Sequence, residues 1–76
     1  MNKYRRKALA DLQDKIAELQ ELLEAVRDEE QEAMDNMPEN LWESERYQAM
    51  EEAVSNMEYA MDNLQEAVDN IEEAMA

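Results

Sequence analysis

The chain has 76 residues, with no Cys, His or Gly, and its 21 acidic residues against 7 basic ones give a net charge of −14. That length holds one domain with little core of its own, and the missing Cys and His remove disulfides, thiol nucleophiles, zinc sites and imidazole acid–base chemistry together. Richness in Ala, Glu, Leu, Met and Gln, with a single Pro, leaves all-α as the fold class.

The opening "MNKYRRKALADL" carries Lys3, Arg5, Arg6 and Lys7 and no acid before Asp11. No apolar run follows these cations as it would in a signal peptide, and no later stretch is apolar enough to span a bilayer. The expectation is a protein of the reducing cytoplasm that does not associate with membranes. Residues 8–76 hold all 21 acids against only Lys15, Arg27 and Arg46, a net −18 that repels nucleic acid and anionic lipid over most of the chain.

Apolar residues then fall at Leu9, Leu12, Ile16, Leu19, Leu23 and Val26, followed by Ala33, in alternating steps of three and four. This is a heptad seam, with position a at Leu9, Ile16 and Leu23 and position d at Leu12, Leu19 and Val26. It predicts an amphipathic helix over about residues 3–35. Ala8 and Leu22 at position g widen its apolar stripe. Glu30 interrupts the seam at an a position, where it either lies in the open end near the loop or pairs with Arg27 or Arg46.

The corner reads "DNMPENLWESER". Pro38 has no backbone N–H and pushes Met37 out of helical geometry, so the first helix ends near Asp35 or Asn36. A short helical turn over residues 38–42 is expected next. The second helix then starts at Ser44, with Glu45 in its first turn, in preference to Asn40 with Glu43 as a capping box. The corner thus covers residues 36–43.

From Tyr47 the seam resumes through Met50, Val54, Met57, Met61, Leu64, Val68, Ile71 and Met75 without a break, predicting a helix over about residues 44–75. With Val54 at position a, Ala53, Ala60, Ala67 and Ala74 form a column at position g, where small side chains let a neighbouring helix approach closely. Two matched arms joined by a short connection predict an antiparallel, coiled-coil-like hairpin making up a single domain, residues 1–76. In that hairpin the cations of the first turn, which oppose their own helix macrodipole, are expected beside Asp69, Glu72 and Glu73 of the second helix.

Seam and alanine column together span about three-sevenths of the helix surface, the width a helix needs inside a bundle, whereas a two-stranded coil needs about two-sevenths. One neighbour cannot cover that stripe. Self-association of two hairpins into a four-helix bundle is therefore expected, with a foreign protein as the alternative occupant.

Bundle metal sites need inward acids and typically a Glu-x-x-His pair, and this chain has no His. It also lacks an EF-hand loop, a glycine-rich phosphate cradle and a nucleophile elbow. An enzyme is not expected, and neither is a cofactor, a bound metal, a small-molecule substrate or direct nucleic-acid binding. Met50, Met57, Met61 and Met75 sit at seam spacing, where methionine fills a core or lines an adaptable groove. Trp42 either caps the bundle end or anchors a partner. Tyr4 at position c and Tyr59 at position f face outward. Trp42, Tyr59 and the outer acids Glu58, Asp62, Glu66, Asp69 and Glu73 are the candidate partner contacts.

A net −18 along an arm of about 48 Å is about one charge per 2.7 Å, or about one per 1.3 Å for two hairpins, against about one per 1.7 Å in duplex DNA. A rigid acidic rod could thus occupy the nucleic-acid groove of another protein, such as a host-defence effector. The plainer account is that the acids keep a small bundle soluble.

The corner "DNMPENL" followed by "SERYQAMEEAV" resembles a group of small acidic helical-hairpin proteins of unknown function from bacteria and their phages or mobile elements. The resemblance implies a mobile-element setting, in which an assembly or chaperone factor is a further expectation, and it assigns no functional residues.

Overall fold

The computed structural model describes residues 1–76 as helix α1 (Lys3–Asp35, 33 residues), one 3-10 turn (Glu39–Leu41) and helix α2 (Glu45–Met75, 31 residues). The helices lie antiparallel and in contact along their length, giving an all-α hairpin 59 × 15 × 12 Å. Neither helix is long and apolar enough to cross a membrane.

Asn2 stands in extended conformation before α1, and its side-chain oxygen accepts the Arg5 backbone N–H at 2.8 Å. At the other end Asn36 and Met37 donate to the carbonyls of Glu32 and Met34, both at 3.0 Å. Pro38 then turns the chain to φ −59°, ψ 143° and ends the helix. The corner closes through side chains. Trp42 donates its indole N–H to the Met37 carbonyl at 2.9 Å, and its ring stacks on Tyr47 with centroids 6.1 Å apart. Ser44 Oγ donates to the Leu41 carbonyl at 2.6 Å and accepts the Tyr47 N–H at 3.2 Å, the N-cap of α2. No residue has a positive φ, so a corner free of glycine carries no backbone penalty. Replacing Ser44 with Ala removes both hydrogen bonds and is expected to destabilise the hairpin by about 1 kcal/mol, readable as a lower midpoint in urea unfolding.

Three polar rungs set the register. Gln13 donates to the Glu72 carboxylate at 2.9 Å and Gln20 to the Gln65 side-chain oxygen at 3.0 Å, while Arg27 lies 3.9 Å from Glu58. Each step of seven up α1 meets a step of seven down α2. All six residues occupy position e, so the e edges of both helices meet along one side of the rod, leaving the g edges along the other. Gln13 also donates to the Val68 carbonyl at 3.3 Å.

This register turns α1 away from a symmetric a/d seam. On α1 the inward residues are Leu9, Ile16, Leu23 and Glu30 at position a, with Gln13, Gln20, Arg27 and Met34 at position e. The d residues Leu12, Leu19, Val26 and Ala33, expected in the seam, lie exposed. On α2 the whole seam from Tyr47 to Met75 is at least half-buried, as are Ala53, Ala60 and Ala67, whereas Ala74 is exposed. In the contact, α2 thus presents its a, d and g columns, and α1 its a and e columns in place of a and d. Only Met34 and Val54, each 6 % exposed, are buried outright, so the single hairpin has almost no core.

The cations near the N-terminus do not meet the acids of α2. Lys7 pairs only within its own helix, with Asp11 at 3.5 Å, and Lys3, Arg5 and Arg6 form no ion pair. Extended from the rungs, the register sets Ala76 beside Leu9. The cationic turns therefore lie past the last turn of α2, out of reach of Asp69, Glu72 and Glu73.

Candidate protein-binding face

Leu12, Leu19, Leu22 and Val26 are 47 %, 53 %, 64 % and 53 % exposed and follow one another at steps of seven, three and four along α1. They form one apolar row about 21 Å long. Position d is displaced outward because position e has turned inward, and Leu22 at position g continues the row away from α2. Since the e edges share one side of the rod, the row and the g column of α2 share the opposite side. In the register of the rungs, the half-buried Ala60 and Ala67 lie opposite residues 25 and 18 and border the row with small methyl groups, whereas Ala53, opposite residue 32, lies past its end.

The surface area points the same way. The hairpin exposes 5983 Å², whereas a compact monomer of 8.9 kDa exposes about 4,800 Å². Its radius of gyration is 17.4 Å, against about 11 Å for a compact domain of this length. The excess of about 1,200 Å² exceeds the roughly 800 Å² that a standard interface removes from each partner.

The other sequence-predicted contacts are scattered. Trp42 is committed to the corner through its hydrogen bond and stacking, although 43 % of it stays exposed beside the exposed Leu41. Tyr59 lies on the outer face of α2, 67 % exposed, and Tyr4 is exposed on α1. Glu58 turns inward enough to meet Arg27, while Asp62, Glu66, Asp69 and Glu73 are exposed along α2, and Asp69 accepts a hydrogen bond from Gln65 at 3.0 Å. Ser55, Glu58, Tyr59 and Asp62 line one shallow hollow open to solvent. It lies on a single helix and encloses nothing.

Glu30 is half-buried but pairs with neither Arg27 nor Arg46; Arg27 instead bonds Asp28 at 2.8 Å and faces Glu58. No three carboxylates converge into a group that could hold a metal ion. Met34 carries half of the buried core, yet it falls outside the a/d pattern. Its signal was available: a large apolar side chain at position e, one turn before the corner. Gln13 and Gln20 at the same position signalled the polar rungs.

No family model, curated protein or solved structure matches the chain.

Proposed function

We propose that this chain is a small acidic protein-binding module of the cytoplasm, without catalytic chemistry, whose partner is a second copy of itself. In this reading two hairpins close their apolar rows against each other as a four-helix bundle, in a phage or mobile-element setting. One observation carries it: the row Leu12, Leu19, Leu22 and Val26 stands in solvent on a hairpin that buries only two residues. A contiguous exposed apolar surface bordered by charge marks an interaction site. Sedimentation equilibrium at micromolar concentration tests it, with an expected mass about twice the 8.9 kDa of the chain. A mass of one chain at every concentration would overturn self-association and direct the search to a foreign partner.

The exposed acids along α2 support a second reading, an anionic decoy that blocks a nucleic-acid-binding protein. Asp62, Glu66, Asp69 and Glu73 follow one another at steps of three and four on the outside of a stiff helix, a straight row of negative charge. A decoy displaces DNA from its target, and the competition weakens as salt rises. Failure to displace DNA from any co-encoded DNA-binding protein would remove this reading. An assembly or chaperone role is compatible with the same face, and its gene neighbours would distinguish it.

A further inference from the structure

We infer that the two copies pack with their α1 helices antiparallel, related by a two-fold axis near Leu19, so that the cationic first turns of each α1 lie against the acidic last turns of the other. This rests on the self-association proposed above and adds its orientation and register. Three observations carry it, and each concerns α1.

The apolar row comes first. It runs from Leu12 to Val26, and the midpoint of its d residues is Leu19. A two-fold interface places the same patch on both subunits. About an axis at Leu19, Leu12 of one copy meets Val26 of the other, and the rows overlap over their full length.

The charges come second. Lys3, Arg5, Arg6 and Lys7 hold +4 with no acid among residues 1–7, while Glu29, Glu30, Glu32 and Asp35 hold −4 with no cation among residues 29–35. About Leu19, residues 3–7 fall on residues 35–31, so the axis that aligns the leucines sets the four cations against Glu32 and Asp35, with Glu29 and Glu30 within the adjoining turn, at both ends. A parallel arrangement instead faces +4 with +4 and −4 with −4. Juxtaposed like charges disfavour an assembly more strongly than exposed opposite charges favour one.

The third observation is that the protomer pairs these cations and acids with each other nowhere, although Asp35 accepts a hydrogen bond from Gln31 at 3.0 Å. Lys3, Arg5 and Arg6 form no ion pair, Lys7 reaches only Asp11, and Glu29, Glu30, Glu32 and Asp35 form none. Moreover, α1 is charged against its own macrodipole: its first turn has no acid and its last turn no base. An antiparallel neighbour supplies the opposite charge to each end.

The native protein carries the first test. Carbodiimide treatment of the dimer, which joins a lysine amine to a carboxylate with loss of water, is expected to link Lys3 or Lys7 to Glu29, Glu30, Glu32 or Asp35. Along one α1 these groups are more than about 30 Å apart, so every such link is between copies. The second test is an Ala10→Cys variant, at an exposed position of a chain with no other cysteine, carrying a nitroxide label. Pulsed electron paramagnetic resonance is expected to give about 30 Å between labels in the antiparallel dimer and under about 20 Å in a parallel one. Short label distances without the cross-links, in a protein that still sediments as a dimer, would overturn the orientation and leave self-association standing. A chain monomeric at every concentration would overturn both.

Discussion

Leu19→Glu is expected to convert the proposed dimer to a monomer. Glu and Leu have nearly the same helix propensity, and Leu19 is 53 % exposed in the hairpin, so in a lone protomer the change would be close to neutral. In the assembly it counts twice. Completing the burial of a half-covered leucine is worth about 1 kcal/mol per copy, and across a two-fold axis the two new carboxylates would face each other in a desolvated contact. The dimer is expected to weaken by more than ~100-fold, measured as the dissociation constant by sedimentation. Thermal stability, which for the proposed dimer is expected to rise with protein concentration, should become independent of it. An unchanged dissociation constant would place the association face elsewhere, while Leu19→Met should leave the dimer nearly intact.

Val54→Asp has the largest expected effect on the fold itself. Val54 is one of the two buried residues, and an unpaired carboxylate there costs several kcal/mol in desolvation. A domain of 76 residues commands roughly 4 to 11 kcal/mol in all, and a hairpin with two buried residues belongs at the low end. The expected result is loss of the cooperative melting transition and a fall in far-ultraviolet helicity, because helices in proteins draw most of their stability from packing. Tyr59→Gln, on the exposed outer face of α2, should shift stability by no more than about 0.5 kcal/mol. Retained cooperative melting in Val54→Asp would mean that the buried end of the rod contributes little to the hairpin.

The two effects separate the energetics of the molecule. Around Met34 and Val54 the chain stabilises its own hairpin, whereas the surface from Leu12 to Val26 contributes only once something covers it. The polar rungs are contacts within the hairpin that contribute little energy, since Arg27 and Glu58 are 3.9 Å apart and Glu58 is exposed, where such pairs contribute about 1 kcal/mol or less. Their effect is on alignment: Gln13, Gln20 and Arg27 meet Glu72, Gln65 and Glu58 in one common register.

By itself the sequence determined the local structure of this protein. Pro38 ends α1, Ser44 caps α2, and the spacing of apolar residues from Leu9 to Val26 and from Tyr47 to Met75 makes both arms amphipathic helices. Each of these depends on a residue's own backbone chemistry or on its neighbours within a turn or two. The rotation of α1 was decided only by the tertiary structure, which brings Gln13, Gln20 and Met34 inward, leaves Leu12, Leu19 and Val26 in solvent, and sets the cationic turns beyond the reach of α2. That rotation takes Leu12, Leu19 and Val26 out of the contact and puts Gln13, Gln20 and Arg27 in their place, the reverse of what apolar spacing alone selects. It shows in the hydrogen bonds across the pair, which exist only once both helices are in place.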